Sequence, residues 1–86
     1  MRVIYKYPLM VGYNSVPLPF GAEVVHIGEQ HGQLQMWVEQ DPSETLVNRQ
    51  FNVYGTGHYI YNVNEQHLST VQVGDLVWHI YENIFI

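Results

Sequence analysis

The stretch "EVVHIGEQHGQLQMWVEQ", Glu23–Gln40, decides the fold class of this chain. Two runs rich in β-branched and large apolar residues flank His31-Gly32, and a short connection of this kind between such runs predicts a β-hairpin. Side chains alternate between the two faces of a strand. On the second arm the residues predicted to face the core are therefore Leu34, Met36 and Val38. Trp37 then lies on the opposite face, among polar side chains.

The other apolar runs also predict strands, because they are short, rich in Val, Ile, Tyr, Phe and Trp, and bounded by turn residues. They are "RVIYKYPL" (2–9), "RQFNVY" (49–54) and "STVQVGDLVWHIYENIF" (69–85), the last divided by Gly74-Asp75 into two strands. We interpret the proline-containing stretch "GYNSVPLPFGA" (12–22) as an extended connection. Asp41-Pro42, followed by Glu44, is typical of a helix N-terminus and predicts at most one short helix.

These elements predict a mostly β fold in one domain of residues 1–86. We expect an antiparallel sheet, sandwich or barrel-like arrangement of about five to six strands. A chain of 86 residues has a limited core. We therefore expect a homo-oligomer, in which self-association would bury Trp37 and the second face of the last strand.

Composition excludes several classes of function. The chain has no cysteine, which rules out disulfides and thiolate metal sites and favours a cytoplasmic location. Only three residues are Lys or Arg and the net charge is −5, too little positive charge for binding duplex nucleic acid. No window approaches the roughly 20 apolar residues of a membrane helix, so no membrane association is expected.

The stretch "YGTGHYIY" (54–61) is the best candidate for a ligand-binding loop. Gly55 and Gly57 can adopt positive φ and let backbone N–H groups converge on an anion, with Thr56 and His58 as further donors. The alternative is an ordinary turn in which His58 bonds a neighbouring backbone group. A lone Gly-x-Gly without a strand-to-helix setting does not decide between them.

Several of these motifs together resemble a family of small proteins of unknown function from phages and bacteria. The shared pieces are Gln30-His31-Gly32, Leu34 to Trp37, Asp41-Pro42, Gly55 to His58, and Val77-Trp78-His79. Members of that family often have proline after the loop histidine, where this chain has Tyr59. The resemblance implies a compact, mostly β domain of phage or prophage origin, which would act in the cytoplasm of the bacterial host. It carries no established activity.

The remaining candidates are single side chains. Trp37 and Tyr59 are aromatic rings for stacking on a ligand, and Arg49 or His58 would supply charge. His31 is a further ligand-binding candidate. His58 with His31 or His79 is the pair that an acid–base mechanism would use. The five histidines show no spacing typical of zinc ligands, so no metal and no cofactor is expected.

Three hypotheses of function remain open. The first is a non-enzymatic phage protein that counters host defence by sequestering a nucleotide-like signal at Gly55–His58. The second is an inhibitor that binds a host defence protein through the face around Trp37. The third is a small phosphodiesterase-like enzyme that uses His58.

Overall fold

The chain folds into seven β-strands, and the computed structural model describes residues 1–84. The strands are β1 (Val3–Pro8), β2 (Gly12–Pro19), β3 (Glu23–Gln30), β4 (Gln33–Gln40), β5 (Leu46–Gly55), β6 (Glu65–Val73) and β7 (Leu76–Asn83). Phe85, at the end of the segment predicted as the last strand, lies outside the described residues. None of the described residues forms a helix, so none is available there to span a membrane.

The strands form two antiparallel sheets that pack face to face. The three-stranded sheet has the order β1-β4-β3 and the four-stranded sheet the order β2-β5-β7-β6. The molecule is flat, with Cα extents of 39 × 32 × 15 Å, as expected for two sheets about 10 Å apart. The described strands do not close into a barrel. The predicted mostly β fold is thus present as a two-sheet sandwich.

The core lies between the inner faces of the two sheets. Leu34, Met36 and Val38 of β4 are buried, which confirms the facing predicted from their alternation. The four-stranded sheet contributes apolar side chains that are almost fully shielded from solvent: Leu18, Phe51, Val53 and Ile80. Because both sheets use only one face for this core, each has an outer face on which other side chains are presented.

The hairpin predicted around His31-Gly32 is confirmed. His31 has φ 56° and Gly32 has φ 78°, so both turn residues are left-handed, as a type I′ turn requires. The strands β3 and β4 on either side of this turn pair antiparallel. The second predicted hairpin, β6–β7 around Gly74-Asp75, also forms, and Val73 pairs with Leu76 across its turn.

One segment differs from the predictions, and the one for which at most a short helix was predicted contains none. The stretch read as an extended connection contains β2, which brings the number of strands to seven. Its prolines are tolerated because β2 pairs with β5 alone and is an edge strand of its sheet. Asp41 begins a turn and no helix: its Oδ1 accepts hydrogen bonds from the backbone N (3.0 Å) and Oγ (2.7 Å) of Ser43. The chain re-enters a strand at Leu46, which leaves too few residues for a helix.

Candidate functional site

The Gly55–His58 loop is a tight turn closed by its own histidine. The His58 backbone N–H donates to the Gly55 carbonyl (3.1 Å), and the Gly55 N–H donates to His58 Nδ1 (3.0 Å). A Cβ at Gly55 would approach His58 Cε1 to 2.9 Å, so the missing side chain leaves room for the ring. At most the amides of Thr56 and Gly57 remain for an anion. In this arrangement His58 Nδ1 is an acceptor and carries no proton.

Thr56 connects this loop to the outer face of the four-stranded sheet. Its Oγ1 lies 2.9 Å from His79 Nε2, and the other ring nitrogen of His79 lies 3.0 Å from Thr70 Oγ1. Thr70 Oγ1 also lies 2.9 Å from His67 Nε2. These four side chains, which we call the histidine–threonine chain, run from the end of β5 across β7 to β6. They place imidazole and hydroxyl groups in a row on an exposed surface.

A β-bulge places two members of the histidine–threonine chain on one face. His67 and Thr70 are three residues apart and would point to opposite sides of a regular strand. The pairing of β6 with β7 shifts between His67 and Ser69, so that His67 pairs with Tyr81 and Thr70 with His79. The extra residue, Leu68, restores the common face.

Aromatic rings continue the same face toward its other end. Tyr81 contacts His67 with ring centroids 5.2 Å apart and Tyr54 with centroids 5.6 Å apart, both edge to face. Beyond Tyr54 lies a cavity of about 280 Å³. We call it the tyrosine pocket, and the lining residues used below are Tyr13, Tyr54, Tyr59, Tyr61, Asn52 and Glu65. Its size is close to the lower limit for small-molecule sites.

Glu65 carries the negative charge of the tyrosine pocket. Its Oε1 accepts hydrogen bonds from Tyr54 Oη (2.7 Å) and from Asn52 Nδ2. Burial, together with the hydrogen bond to Glu65 and its charge, raises the pKa of Tyr54 to about 12. Tyr54 therefore remains a protonated donor at neutral pH. The second oxygen, Oε2, is shielded from solvent and has no hydrogen-bond partner among the described residues.

The other residues predicted for a ligand site are spread over the molecule. Trp37 lies on the outer face of the three-stranded sheet, where its ring is 5.2 Å from that of His26. His31 occupies the β3–β4 turn. Arg49 binds both carboxylate oxygens of Glu82, at 2.7 and 2.9 Å, and the Ala22 carbonyl. Arg49 and His79 lie on strands β5 and β7 of the four-stranded sheet, but of the candidates outside the Gly55–His58 loop only Tyr59 lines the tyrosine pocket.

Sequence reasoning did not single out several residues of this face, namely Tyr54, Glu65, His67 and Thr70. The alternation of side chains along the last strand is enough to place His79 and Tyr81 on one face. A register shift such as that at Leu68 has no signal in a single sequence, so the partners of His79 were not predictable. Within residues 1–84 no group of three or more His, Asp or Glu side chains comes together that could hold a metal ion.

Comparison with known proteins assigns the chain to a family, but that family has no known activity. No curated protein and no solved structure matches this chain. A family model described as a domain of unknown function, DUF7352, matches residues 1–85. Since the match extends over nearly the whole chain, the protein belongs to the DUF7352 family of domains of unknown function.

Proposed function

We propose that this protein is a non-enzymatic phage protein that acts in the cytoplasm of a bacterial host and counters host defence by sequestering a nucleotide-like signal. The binding surface in this proposal is the outer face of the four-stranded sheet. The observation that carries it is the continuity of this face. Hydrogen bonds join the Gly55–His58 loop to the histidine–threonine chain, and ring contacts continue from His67 to the tyrosine pocket. Support for a phage origin comes from the resemblance of the sequence motifs.

The histidine–threonine chain is the proposed phosphate end of the site. Hydroxyl and imidazole N–H groups donate hydrogen bonds to phosphate oxygens, and both nitrogens of a protonated imidazole are donors. All three basic side chains are engaged elsewhere: Arg2 with Glu39, Lys6 with Gln30 and Arg49 with Glu82. The phosphate would thus be held by the hydroxyl and imidazole groups of the histidine–threonine chain and by no lysine or arginine.

The tyrosine pocket is the proposed base end. Tyr59 and Tyr61 have ring centroids 5.9 Å apart and are 78% and 86% exposed, so their faces are available to a ligand. Stacking of a base on an aromatic side chain contributes about 1–3 kcal/mol. A nucleotide would therefore gain from both ends of the face.

Titration calorimetry with cyclic and ADP-ribose-type nucleotides tests this function. We expect one or more to bind, with His79→Ala weakening binding about tenfold through the loss of a charge-assisted hydrogen bond. His31→Ala is the matched control, because His31 lies in the hairpin turn of the other sheet and should leave affinity unchanged. If none of these nucleotides binds, the proposal of nucleotide sequestration is wrong. Turnover of a bound nucleotide that His58→Ala abolishes would replace it with the enzyme hypothesis.

The outer face of the three-stranded sheet supports a second candidate function, inhibition of a host defence protein. Trp37 and His26 form a ring pair there, and Ile4 on the neighbouring strand β1 is 53% exposed. Exposed Trp side chains are enriched among the residues that dominate protein interfaces. A pull-down from host lysate that yields one stoichiometric partner, lost with Trp37→Ala and retained with His79→Ala, would favour this function over nucleotide binding.

The same Trp37 face is the surface that we propose for self-association into a homo-oligomer. Self-association through this face leaves the histidine–threonine chain and the tyrosine pocket accessible in each copy. A host protein and a second copy cannot occupy one Trp37 face together. The mass of the purified protein in solution therefore shows whether a second copy already occupies the Trp37 face.

A further inference from the structure

In the described part of the chain, Oε2 of Glu65 is the one buried side-chain nitrogen or oxygen without a hydrogen-bond partner. Oε1 has two donors, whereas Oε2 is shielded from solvent and has none among residues 1–84. Leaving a buried polar atom without a partner costs about 1–3 kcal/mol, and more for a charged group. A ligand that brings an N–H donor to Oε2 removes this cost. The tyrosine pocket therefore favours ligands with donors over ligands with acceptors.

The lining of the pocket narrows the class of donor. Neither lysine nor arginine lines it, so a phosphate brought to Glu65 would meet a carboxylate and no cation. The rings of Tyr54, Tyr59 and Tyr61 offer flat apolar faces, which suit a planar heterocycle. A volume of about 280 Å³ accommodates one such ring system. Among the common bases, guanine presents a ring N–H and an amino N–H side by side on one edge.

We propose that the tyrosine pocket is a base-specific subsite and that Glu65 selects a guanine-type base by accepting its N–H groups at Oε2. This inference rests on the proposed nucleotide-binding function and assigns the base that it recognises. Tyr54 and Asn52 hold the other carboxylate oxygen and so fix the direction of the group. Tyr54 keeps its proton throughout the neutral range, so it continues to orient Glu65 there.

Contact of a base with Oε2 requires the lining of the tyrosine pocket to rearrange, because this oxygen is shielded from solvent. The segment that carries Tyr59 and Tyr61 is the part of the lining least tied to the sheets. Within residues 59–63 the structure gives no backbone hydrogen bond to either sheet; the flanking ones are those from the His58 N–H to the Gly55 carbonyl and from the Ile84 N–H to the Asn64 carbonyl. The two tyrosines are mostly exposed, and a base that reaches Glu65 would lie against their faces.

Guanosine and inosine monophosphates (GMP and IMP) test this assignment directly, because they differ only by the amino group at position 2 of the base. NMR titration of the whole labelled protein measures both affinities, even in the millimolar range. We expect GMP to bind about tenfold more tightly than IMP, the ratio that corresponds to one good hydrogen bond to a charged group. Glu65→Gln should reduce this ratio to about one, because the amide that replaces the carboxylate presents its own donors. Glu44→Gln removes the same charge in the exposed β4–β5 turn and should keep the ratio.

A second variant separates recognition from folding. Tyr61→Ala should weaken both nucleotides to the same extent, because stacking does not distinguish them, and should leave the preference for GMP intact. Equal binding of GMP and IMP by the unaltered protein would overturn the role of Glu65 and leave nucleotide binding standing. Binding of neither would overturn the guanine assignment, and the panel of cyclic and ADP-ribose-type nucleotides would then decide the nucleotide-binding function. Displacement of GMP by tetramethylammonium at equal concentration would show that the pocket is a cation site and overturn the base assignment.

Discussion

At the scale of single residues, position 55 requires glycine because the His58 ring packs directly against its Cα. A Cβ there would meet His58 Cε1 at 2.9 Å and Trp78 Cζ3 at 3.3 Å. We expect Gly55→Ala to displace the His58 ring and to lower the free energy of unfolding by about 1–3 kcal/mol, as overpacking does. Urea denaturation measures the loss, and the NMR signals of His58 report the displacement.

Gly57→Ala is the matched control for this prediction. A Cβ at Gly57 meets no atom within 4 Å, but the residue has φ 92°, which is unfavourable for alanine. We expect a cost of about 1–2 kcal/mol from the backbone alone. The His58 signals should not move. If Gly55→Ala leaves the His58 ring in place, the close packing described for the loop is wrong.

Tyr54 makes the stability of the protein depend on pH in the alkaline range. Its pKa is about 12 in the folded protein and 10.0 ordinarily, so between pH 10 and 12 the unfolded chain loses this proton first. The unfolded state then binds fewer protons than the folded state, and the free energy of unfolding falls as the pH rises. The full contribution of Tyr54 to the free energy of unfolding is present below pH 10, and it is lost as the pH rises through the folded-state pKa of about 12.

Tyr54→Phe tests this linkage. At pH 7 it removes the hydroxyl donor of Glu65, and we expect a loss of about 1–2 kcal/mol in the free energy of unfolding. Because phenylalanine does not ionise, the gap between the variant and the unaltered protein should narrow from pH 10 to pH 12. If the difference in unfolding free energy between the two proteins stays constant from pH 10 to pH 12, Tyr54 does not cause the pH dependence.

At the scale of strands, Arg49 joins three parts of the sandwich. It lies on β5, binds Glu82 of β7 through two nitrogens, and bonds the carbonyl of Ala22 just before β3. Both partners of the ion pair are well shielded, at 24% and 15% exposure. Removing one partner leaves the other charge partly buried, so we expect Arg49→Met to cost about 2–4 kcal/mol in unfolding free energy.

Arg2 provides the comparison on the other sheet. It pairs with Glu39 at 3.0 Å, but its side chain is 69% exposed. We expect Arg2→Met to cost less than about 1 kcal/mol. Equal losses for Arg2→Met and Arg49→Met in chemical denaturation would show that shielding does not set the difference. Affinity for nucleotides should be unchanged in both variants, because neither arginine lies on the proposed binding face.

The strands themselves differ in how much of them a single sequence predicts. β3 and β4 were predictable because the alternation of Leu34, Met36 and Val38 and the turn at His31-Gly32 are local signals. β2 was not, because its prolines are acceptable only on an edge strand and edge position is a property of the assembled sheet. The bulge at Leu68 is set by pairing with β7. The candidate site depends on that bulge, so its residues emerge only from the fold.

At the scale of the whole molecule, three of the four edge strands, β2, β3 and β6, are poor surfaces for association. The β2 edge carries Pro17 and Pro19, which lack N–H donors. The pairing of β3 with β4 shifts between Val24 and His26, and that of β6 with β7 shifts at Leu68, so both of these edge strands carry bulges. Prolines and bulges are features that oppose edge-to-edge pairing of sheets. Self-association should therefore use a sheet face.

The Trp37 face is the better of the two outer faces for a homo-oligomer, because the opposite face is occupied by polar groups of the histidine–threonine chain. Light scattering coupled to gel filtration should give a mass above the 10.1 kDa of one chain. Trp37→Glu should reduce it to the monomer, because a charge buried without a partner opposes association. Tyr59→Glu places the same charge at the tyrosine pocket, in the β5–β6 connection, and should keep the oligomer. A monomeric Trp37→Glu variant that still binds nucleotide would show that the two outer faces act independently, whereas an unchanged mass would exclude Trp37 from the interface.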